Sequence, residues 1–262
     1  MSLPSSNAFA HWIASLEARH LGELTFPEVS RALRALSSAY VERRRALAQG
    51  AALSGAGKRA AFALFYGPLH FLLIHHIVHA LPDATSSPET MIDLGCGTGA
   101  SGSAWASACA PPPRVVGIDR HPWAVREASR TYRDFGLDGC ARQDDVASTK
   151  LPKGRASILA AFAVNELSDA ARDAMLPRLI DRAARGDRVL VVEPLAGFVA
   201  PWWKRWREAC ESAGGRADEW RLRTELPAIV AKLDRAAGLD HHEITGRSLW
   251  IATPAGGRPA SS

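Results

Sequence analysis

Lysine, tyrosine and cysteine are scarce in this sequence, and the spacing of the few cysteines limits the metal sites that it could form. The 262 residues include five lysines, three tyrosines and four cysteines. Cys96, Cys109, Cys140 and Cys210 form no CxxC pair and no Cys/His cluster with zinc-site spacing. We therefore predict no metal site and four reduced thiols, which is the usual state in a cytoplasmic protein.

A strong charge imbalance is also absent. The 32 basic and 27 acidic residues give a formal net charge of +5 and a pI of about 9.3. This mild excess is compatible with an anionic partner such as RNA but does not require one. Hydrophobic residues make up 47% and charged residues 23% of the chain, which excludes wholesale disorder and fibrous repeats.

One segment, residues 60–82, contains no Asp, Glu, Lys or Arg and is long enough to span a membrane. The dipeptide Gly67-Pro68 interrupts it, and four histidines lie in its second half, so we predict no membrane span. We expect one helix to end near Tyr66 and another to begin at Pro68.

His75 and His79 share a helical face but have no carboxylate or cysteine with them, so we interpret them as packing residues rather than metal ligands.

The chain divides into three regions that differ in composition and in the pattern of apolar residues. Residues 1–87 are predicted to form an N-terminal helical subdomain, in which Thr25 and Glu28 have the spacing of a capping box. Residues 88–254 alternate between short apolar runs and helical stretches. Residues 255–262 are rich in Gly, Pro and Ser and are expected to be a disordered tail.

The alternating region predicts an α/β fold. Runs that are apolar on both faces and separated by helices are typical of a parallel sheet covered on both sides. Two later strands, at 241–245 and 248–253, are predicted to form an antiparallel hairpin around Gly246-Arg247. The five earlier strands are expected at 90–94, 115–119, 139–143, 157–164 and 187–193.

The most informative motif is the sequence Asp93-Leu-Gly95-Cys96-Gly97-Thr-Gly99, which follows the first strand and opens a helix. Glycines allow a sharp turn and a close approach of a ligand to the backbone, and the helix N-terminus offers free N–H groups. Asp119 closes the next strand, about 20 residues after Gly99, where an acid can bind both hydroxyls of a ribose. The motif therefore predicts a nucleotide-containing cofactor.

Two cofactors compete for this motif: a nicotinamide dinucleotide and S-adenosylmethionine. Asp93, at the end of the strand, would repel a pyrophosphate but would favour a methionine ammonium group nearby. The glycines at 95, 97 and 99 meet the strand end, whereas the GxGxxG pattern at 97–102 begins later. No Tyr-x-x-x-Lys pair is present. These observations favour S-adenosylmethionine, with an NAD(P)-dependent oxidoreductase as the alternative.

With these motifs the chain resembles the class I S-adenosylmethionine-dependent methyltransferases over roughly residues 88–253. The resemblance implies a Rossmann-like, seven-stranded, mostly parallel sheet with an antiparallel C-terminal hairpin. It implies that Asp144 or Asp145, together with Val146, contacts the adenine. It also implies the other cofactor-binding residues Asp93, Gly95, Cys96, Gly97, Gly99, Asp119, Arg120 and Asn165.

A narrower resemblance involves the stretches 161–167, 191–194 and 197–198. The sequences Ala-Phe-Ala-Val-Asn-Glu-Leu, Val-Val-Glu-Pro and Gly-Phe are similar to the methyltransferase-like family related to a mitochondrial small-ribosomal-subunit protein. This resemblance implies an RNA or ribosome-associated acceptor, with the small ribosomal subunit as partner. The cysteine-rich metal-binding motif of that family has no counterpart here.

Candidate catalytic residues lie at the ends of the fourth and fifth strands, where ligands bind in such sheets. Asn165 is expected to contact the acceptor, the cofactor or the main chain. Glu166 or Glu193 could act as a base if the acceptor has a proton to lose, and Glu166 could instead be a structural acid at a helix terminus.

Candidate acceptor-binding residues lie in the run Pro201-Trp-Trp-Lys-Arg-Trp-Arg207. Trp203 could stack on a base while Lys204, Arg205 and Arg207 pair with phosphates. The alternative is an amphipathic helix with its tryptophans in the core. Together with the basic run at 43–45, these residues lead us to expect an RNA acceptor. A small-molecule acceptor and a non-enzymatic binding protein that retains the cofactor fold stay open.

Overall fold

The computed structural model describes residues 6–42, 53–86, 88–195 and 201–252. One seven-stranded sheet has the order β3-β2-β1-β4-β5-β7-β6, and only β7 runs antiparallel to the other six strands. The strands are β1 Thr90–Leu94, β2 Arg114–Asp119, β3 Gly139–Gln143, β4 Ala156–Ala161, β5 Arg188–Glu193, β6 Arg216–Leu222 and β7 Ile244–Ala252.

Helices cover both faces of the sheet, as the apolar strands predict. The helices are α1 Ser6–Leu21, α2 Phe26–Glu42, α3 Ala56–Ala80, α4 Ala100–Ala108, α5 Pro122–Asp134, α6 Asp169–Ala184, α7 Trp203–Ser212 and α8 Ala228–Ala236. Helices α1 to α5 and α8 share one hydrophobic core with one face of the sheet. Helices α6 and α7 form a second core on the other face. The predicted Rossmann-like, mostly parallel sheet is confirmed.

Strand β4 ends earlier than predicted. It stops at Ala161 because Phe162 adopts a left-handed backbone conformation with φ 58°. A short 3-10 turn, Val164–Glu166, follows and leads into α6. The turn begins where the predicted strand would have ended, so the candidate residues of this segment lie on a turn.

The predicted antiparallel C-terminal strands are confirmed, but the turn predicted at Gly246-Arg247 is wrong. Strand β7 runs without a break through Gly246 and Arg247, and it pairs with β5 on one side and β6 on the other. A Cβ atom at Gly246 would lie 2.7 Å from Cδ2 of Leu73 in α3. The glycine therefore permits close packing of α3 against the sheet rather than a turn.

Helix α3 also differs from the prediction, because Gly67-Pro68 does not divide it. A π-helical turn, Phe62–Tyr66, comes immediately before Gly67. Proline has no N–H and its ring crowds the preceding turn of a regular α-helix, and the wider π-helical turn accommodates both effects. By length and composition α3 could cross a membrane, but 78% of its most apolar 18-residue window is buried inside the protein. It is packed as a core helix.

The N-terminal helices pack directly on the sheet domain. Half of the capping box before α2 is present, since Glu28 Oε2 accepts hydrogen bonds from the Thr25 backbone N–H at 2.8 Å and from its hydroxyl at 2.7 Å, while the Glu28 N–H donates to the Thr25 carbonyl. Trp12 of α1 is fully buried and donates to Thr131 of α5 at 3.2 Å. The division at 87/88 stays a prediction, and the basic run at 43–45 and the tail at 255–262 lie outside the described residues.

Candidate active site

The glycine loop joins β1 to α4 at the carboxyl edge of the sheet. Gly95, Gly97 and Gly99 have φ angles of 71°, 52° and 77°, a region that residues with a Cβ rarely adopt. The Gly95 N–H donates to the Ile118 carbonyl of β2 at 2.8 Å, which fixes the loop to the neighbouring strand. A Cβ at Gly95 would lie 2.5 Å from Cβ of Ala163. Both the turn and the close contact thus require glycine.

Asp119 lies at this loop, as predicted, and holds it in place. Its Oδ2 accepts the Gly97 N–H at 3.0 Å and its Oδ1 accepts the His121 N–H at 2.8 Å. The residue is partly exposed. Because each carboxylate oxygen has two lone pairs, Asp119 can still accept hydrogen bonds from the hydroxyls of a ribose.

Asp93 faces the interior rather than the open side of the loop. Its side chain is 1% exposed, and Oδ2 accepts from the Gly102 N–H and from the Tyr132 hydroxyl, both at 3.2 Å. Burial raises the pKa of its carboxyl to about 7. Asp93 therefore anchors the first turn of α4, and its closeness to a methionine ammonium group stays a prediction. Cys96 is also buried, and burial raises its thiol pKa well above the usual value.

The two acids after β3 differ in their surroundings. Asp144 accepts from the Thr149 hydroxyl at 2.7 Å and from the Asp145 N–H at 2.8 Å, and the Thr149 bond is the main reason that its pKa is lowered. Asp145 is exposed, and its Oδ1 accepts the Ala147 N–H at 2.8 Å. Val146 packs partly against the second core. The adenine contact of Asp144 or Asp145 stays a prediction.

Asn165 and Glu193 lie together, but they bind each other. Glu193 is fully buried and accepts from the backbone N–H groups of Val164 and Asn165, at 2.8 and 3.1 Å, and from Asn165 Nδ2 at 2.7 Å. Trp202 Nε1 donates to Asn165 Oδ1 at 3.1 Å, so both ends of this amide are engaged. Burial raises the pKa of Glu193 to about 8. The structure therefore corrects Glu193 from a candidate base to a buried support for the turn after β4.

Of the two catalytic candidates that have a carboxylate, Glu166 is the one whose side chain is substantially exposed. Its side chain is 37% exposed, and Oε2 lies 3.7 Å from Nη2 of Arg120. Partial burial and the nearby charge of Asp119 raise its pKa, while Arg120 opposes that shift. This pair connects the carboxyl ends of β2 and β4 beside the glycine loop.

Helix α7 does not present the predicted base-stacking surface. Trp203 is only 9% exposed, and the guanidinium carbon of Arg247 lies 4.2 Å from the centre of its ring system. The prediction that Trp203 stacks on RNA is therefore wrong, and the amphipathic alternative holds. Each cation of the helix lies near an acid: Lys204 with Glu208 at 3.9 Å, Arg205 with Asp173 at 2.6 Å and Arg207 with Glu211 at 3.9 Å.

Sequence reasoning missed one group of residues, which we call the aromatic face: Phe62, Tyr66, His70 and Phe162. The first three follow one another at four-residue spacing along α3, and all four are partly exposed. The imidazole of His70 stacks on the Phe162 ring with 3.9 Å between centroids. A Cβ on Gly97 would lie 3.4 Å from Phe62, so the aromatic face begins at the glycine loop. The ring spacing was visible in the sequence, but the expected helix break at residue 67 concealed it.

The chain is similar to one protein-family model and, at low identity, to solved structures. Residues 91–186 match a family model described as a methyltransferase domain. The N-methyltransferase NodS from Bradyrhizobium japonicum, crystallised with S-adenosyl-L-homocysteine, is 14% identical, with a TM-score of 0.48, over 69% of this chain and 85% of that chain. Precorrin 8W decarboxylase from Methanobacterium thermoautotrophicum is 17% identical, with a TM-score of 0.47, over 70% and 90% of the two chains. Likenesses this distant carry no information about the acceptor. A search of curated protein sequences gave no significant match.

Proposed function

We propose that this chain is a class I S-adenosylmethionine-dependent methyltransferase and that it methylates RNA or ribosome-associated material. The observation that carries the cofactor assignment is the bond between Asp119 and the Gly97 N–H. This bond brings the glycine loop after β1 and the predicted ribose-binding acid at the end of β2 together. The strand order reverses between β1 and its other neighbour, β4. Ligands of open α/β sheets bind at this switch point.

The residues at this point fit S-adenosylmethionine. A Cβ on Gly97 would be in van der Waals contact with the Phe62 ring at 3.4 Å, so the aromatic face packs against the backbone of the glycine loop. Asp119 can bind the ribose hydroxyls, and Asp145 can orient the adenine amino group. When bound, the cofactor supplies a methyl group activated by a sulfonium. The chain must hold the acceptor in line with that methyl group, and it needs a base only if the acceptor carries a proton to lose.

Positive charge beside the cofactor loop supports RNA as the acceptor. The pKa of His121 is lowered, first by burial and then by Arg59, Arg126 and Arg120, against the opposing effect of Asp119. These arginines therefore lie near the carboxyl end of β2, where they can attract phosphates. The formal net charge of +5 acts in the same direction.

Salt-dependent RNA binding tests this acceptor. In a plot of the logarithm of the binding constant against the logarithm of the salt concentration, the double variant Arg59→Ala/Arg126→Ala should have a shallower slope. The slope should change by about one unit for each lost phosphate contact. The matched triple variant Lys204→Ala/Arg205→Ala/Arg207→Ala removes more charge from α7 and should leave the slope nearly unchanged, because those cations lie near acids. If only the triple variant changes the slope, RNA contacts α7 instead.

A small aromatic acceptor is the second candidate. The uncharged rings of the aromatic face, next to the glycine loop, favour it. Acid precipitation before and after ribonuclease treatment separates the two candidates. Label in RNA becomes acid-soluble only after ribonuclease digestion, whereas a methylated small molecule is acid-soluble before it.

A further inference from the structure

His70 differs from the other members of the aromatic face in its unused polar atoms. The Tyr66 hydroxyl bonds to the Ser37 side chain, and the two phenylalanine rings have no polar atoms. Among the described residues, neither ring nitrogen of His70 has a hydrogen-bond partner. Its neighbours are rings: Phe162 at 3.9 Å and Phe62 and Tyr66 at 6.1 Å between centroids. The aromatic face thus combines partly exposed rings with one unpaired polar group.

The imidazole is uncharged at neutral pH. Burial among the rings lowers the pKa of His70 to about 3. A neutral imidazole carries one donor and one acceptor nitrogen, so it can pair with either kind of group on a ligand. Its neutrality also avoids repulsion with a sulfonium bound at the glycine loop.

The backbone at Phe162 is specialised to hold this arrangement. A φ of 58° is uncommon for a phenylalanine, and such residues persist only where the surroundings enforce them. The Phe162 N–H donates to the Val192 carbonyl of β5 at 2.7 Å. The next residue, Ala163, lies against Gly95 of the glycine loop. The stacked pair of Phe162 and His70 therefore stands directly beside the cofactor loop.

We propose that His70 determines acceptor specificity: a flat heteroaromatic ring packs on the aromatic face, and a ring nitrogen of His70 hydrogen-bonds to it. The inference rests on the proposed function and narrows the acceptor to a nucleobase-like ring, either within RNA or free. Flat rings stack favourably on aromatic side chains, and an unpaired polar group near the stack selects rings with a matching donor or acceptor. No covalent step is assigned to His70.

The test uses 2-aminopurine, a fluorescent nucleobase whose emission is quenched by stacking. The full-length protein, saturated with S-adenosylhomocysteine, is titrated with 2-aminopurine riboside and with a short single-stranded RNA that contains one 2-aminopurine. His70→Phe keeps an aromatic ring but removes both nitrogens, and it should weaken probe binding by about tenfold, as expected for one lost hydrogen bond. Calorimetry should show an unchanged affinity for S-adenosylhomocysteine.

Two further variants complete the comparison. His79→Ala changes an exposed histidine of the same helix, whose Nδ1 bonds to the His75 carbonyl, and should bind the probes like the wild type. His70→Gln retains a donor and an acceptor and should recover part of the binding, which keeps the test valid if His70→Phe does not fold.

The outcomes are distinct. Wild-type binding of both probes in His70→Phe, or no binding of either probe by the wild type, overturns the role of His70. Tight binding of the RNA alone supports an acceptor within RNA, and equal binding of the free riboside supports a free acceptor. If the wild type does not bind S-adenosylhomocysteine, the proposed function fails instead.

Discussion

Oδ2 of Asp119 accepts the backbone N–H of Gly97 at 3.0 Å, so the acid at the end of β2 holds the glycine loop that follows β1. The same carboxylate is the predicted ribose ligand. One side chain therefore shapes the loop and has lone pairs left for the cofactor, so we expect loop stability and cofactor affinity to depend on the same residue.

Asp119→Ala should weaken cofactor binding and loosen the loop. S-adenosylmethionine stabilises the native state by mass action, so the rise in melting temperature that it causes should be smaller in this variant. Without ligand, the variant should lose about 1–3 kcal/mol of stability, because the N–H groups of Gly97 and His121 lose a charged acceptor. Asp119→Asn keeps one acceptor oxygen and should lose less. An undiminished shift in Asp119→Ala, or stabilisation of the wild type by NADH alone, would overturn the cofactor assignment.

Gly95→Ala should cost more than the matched change Gly136→Ala. Both glycines have positive φ angles, 71° and 66°, so both variants carry the same kind of backbone strain. At Gly95 the new Cβ would also lie 2.5 Å from Ala163, whereas nothing lies within 4 Å of a Cβ at Gly136. Denaturant unfolding should rank Gly95→Ala as the less stable, and calorimetry should show that it alone loses S-adenosylmethionine affinity. Equal effects of the two changes on binding would contradict the loop geometry.

Trp203→Ala should destabilise the protein by roughly 3–5 kcal/mol, because it removes a buried ring from the second core. The triple alanine variant of Lys204, Arg205 and Arg207 should change stability by no more than about 1 kcal/mol, since these pairs are exposed. Urea unfolding measures both. If Trp203→Ala leaves stability unchanged and abolishes RNA binding, Trp203 stacks on a base and its placement in the core is wrong.

The buried Glu193 should make stability depend on pH. Its pKa is about 8 in the folded protein and near 4.5 when unfolded. Between these values the unfolded carboxyl is ionised while the folded one keeps its proton, so stability falls as the pH rises. Glu193→Gln lacks this effect, and its free energy of unfolding relative to the wild type should rise by on the order of 1 kcal/mol per pH unit in this window.

Urea unfolding of both proteins at pH 5 and pH 8 provides the measurement. Asp93, whose pKa burial also raises, is present in both proteins, so its contribution largely cancels in the difference. A difference that does not change with pH would show that Glu193 is ionised in the folded protein and held by its three donors.

Local patterns in the sequence predicted much of the fold. Strands β1 and β3 have the predicted bounds, and the glycine loop and Asp119 meet as expected. The errors lie at glycines whose function is long-range. Gly246 and Gly67 were interpreted as chain breakers, but a Cβ at either one would press on a distant side chain: Leu73 for Gly246 and Thr98 for Gly67. A sequence does not show which residue approaches from elsewhere.

The site was predicted in position but not in orientation. Asn165 follows β4 and Glu193 ends the adjacent β5, yet the two side chains face each other because the chain turns sharply after Phe162. A backbone that continued as a strand would have pointed these side chains differently. The same turn brings Phe162 against His70, which no pattern within either segment could indicate.

The most direct test of the account is transfer of labelled methyl from S-adenosylmethionine into a cell extract that is then separated into RNA, protein and small molecules. We expect the wild type to label the RNA fraction, and we expect ribonuclease to convert this label to an acid-soluble form. Asp119→Ala should transfer much less label at the same concentration of cofactor. Wild-type protein that binds S-adenosylmethionine but labels none of the three fractions would contradict the assignment as a methyltransferase.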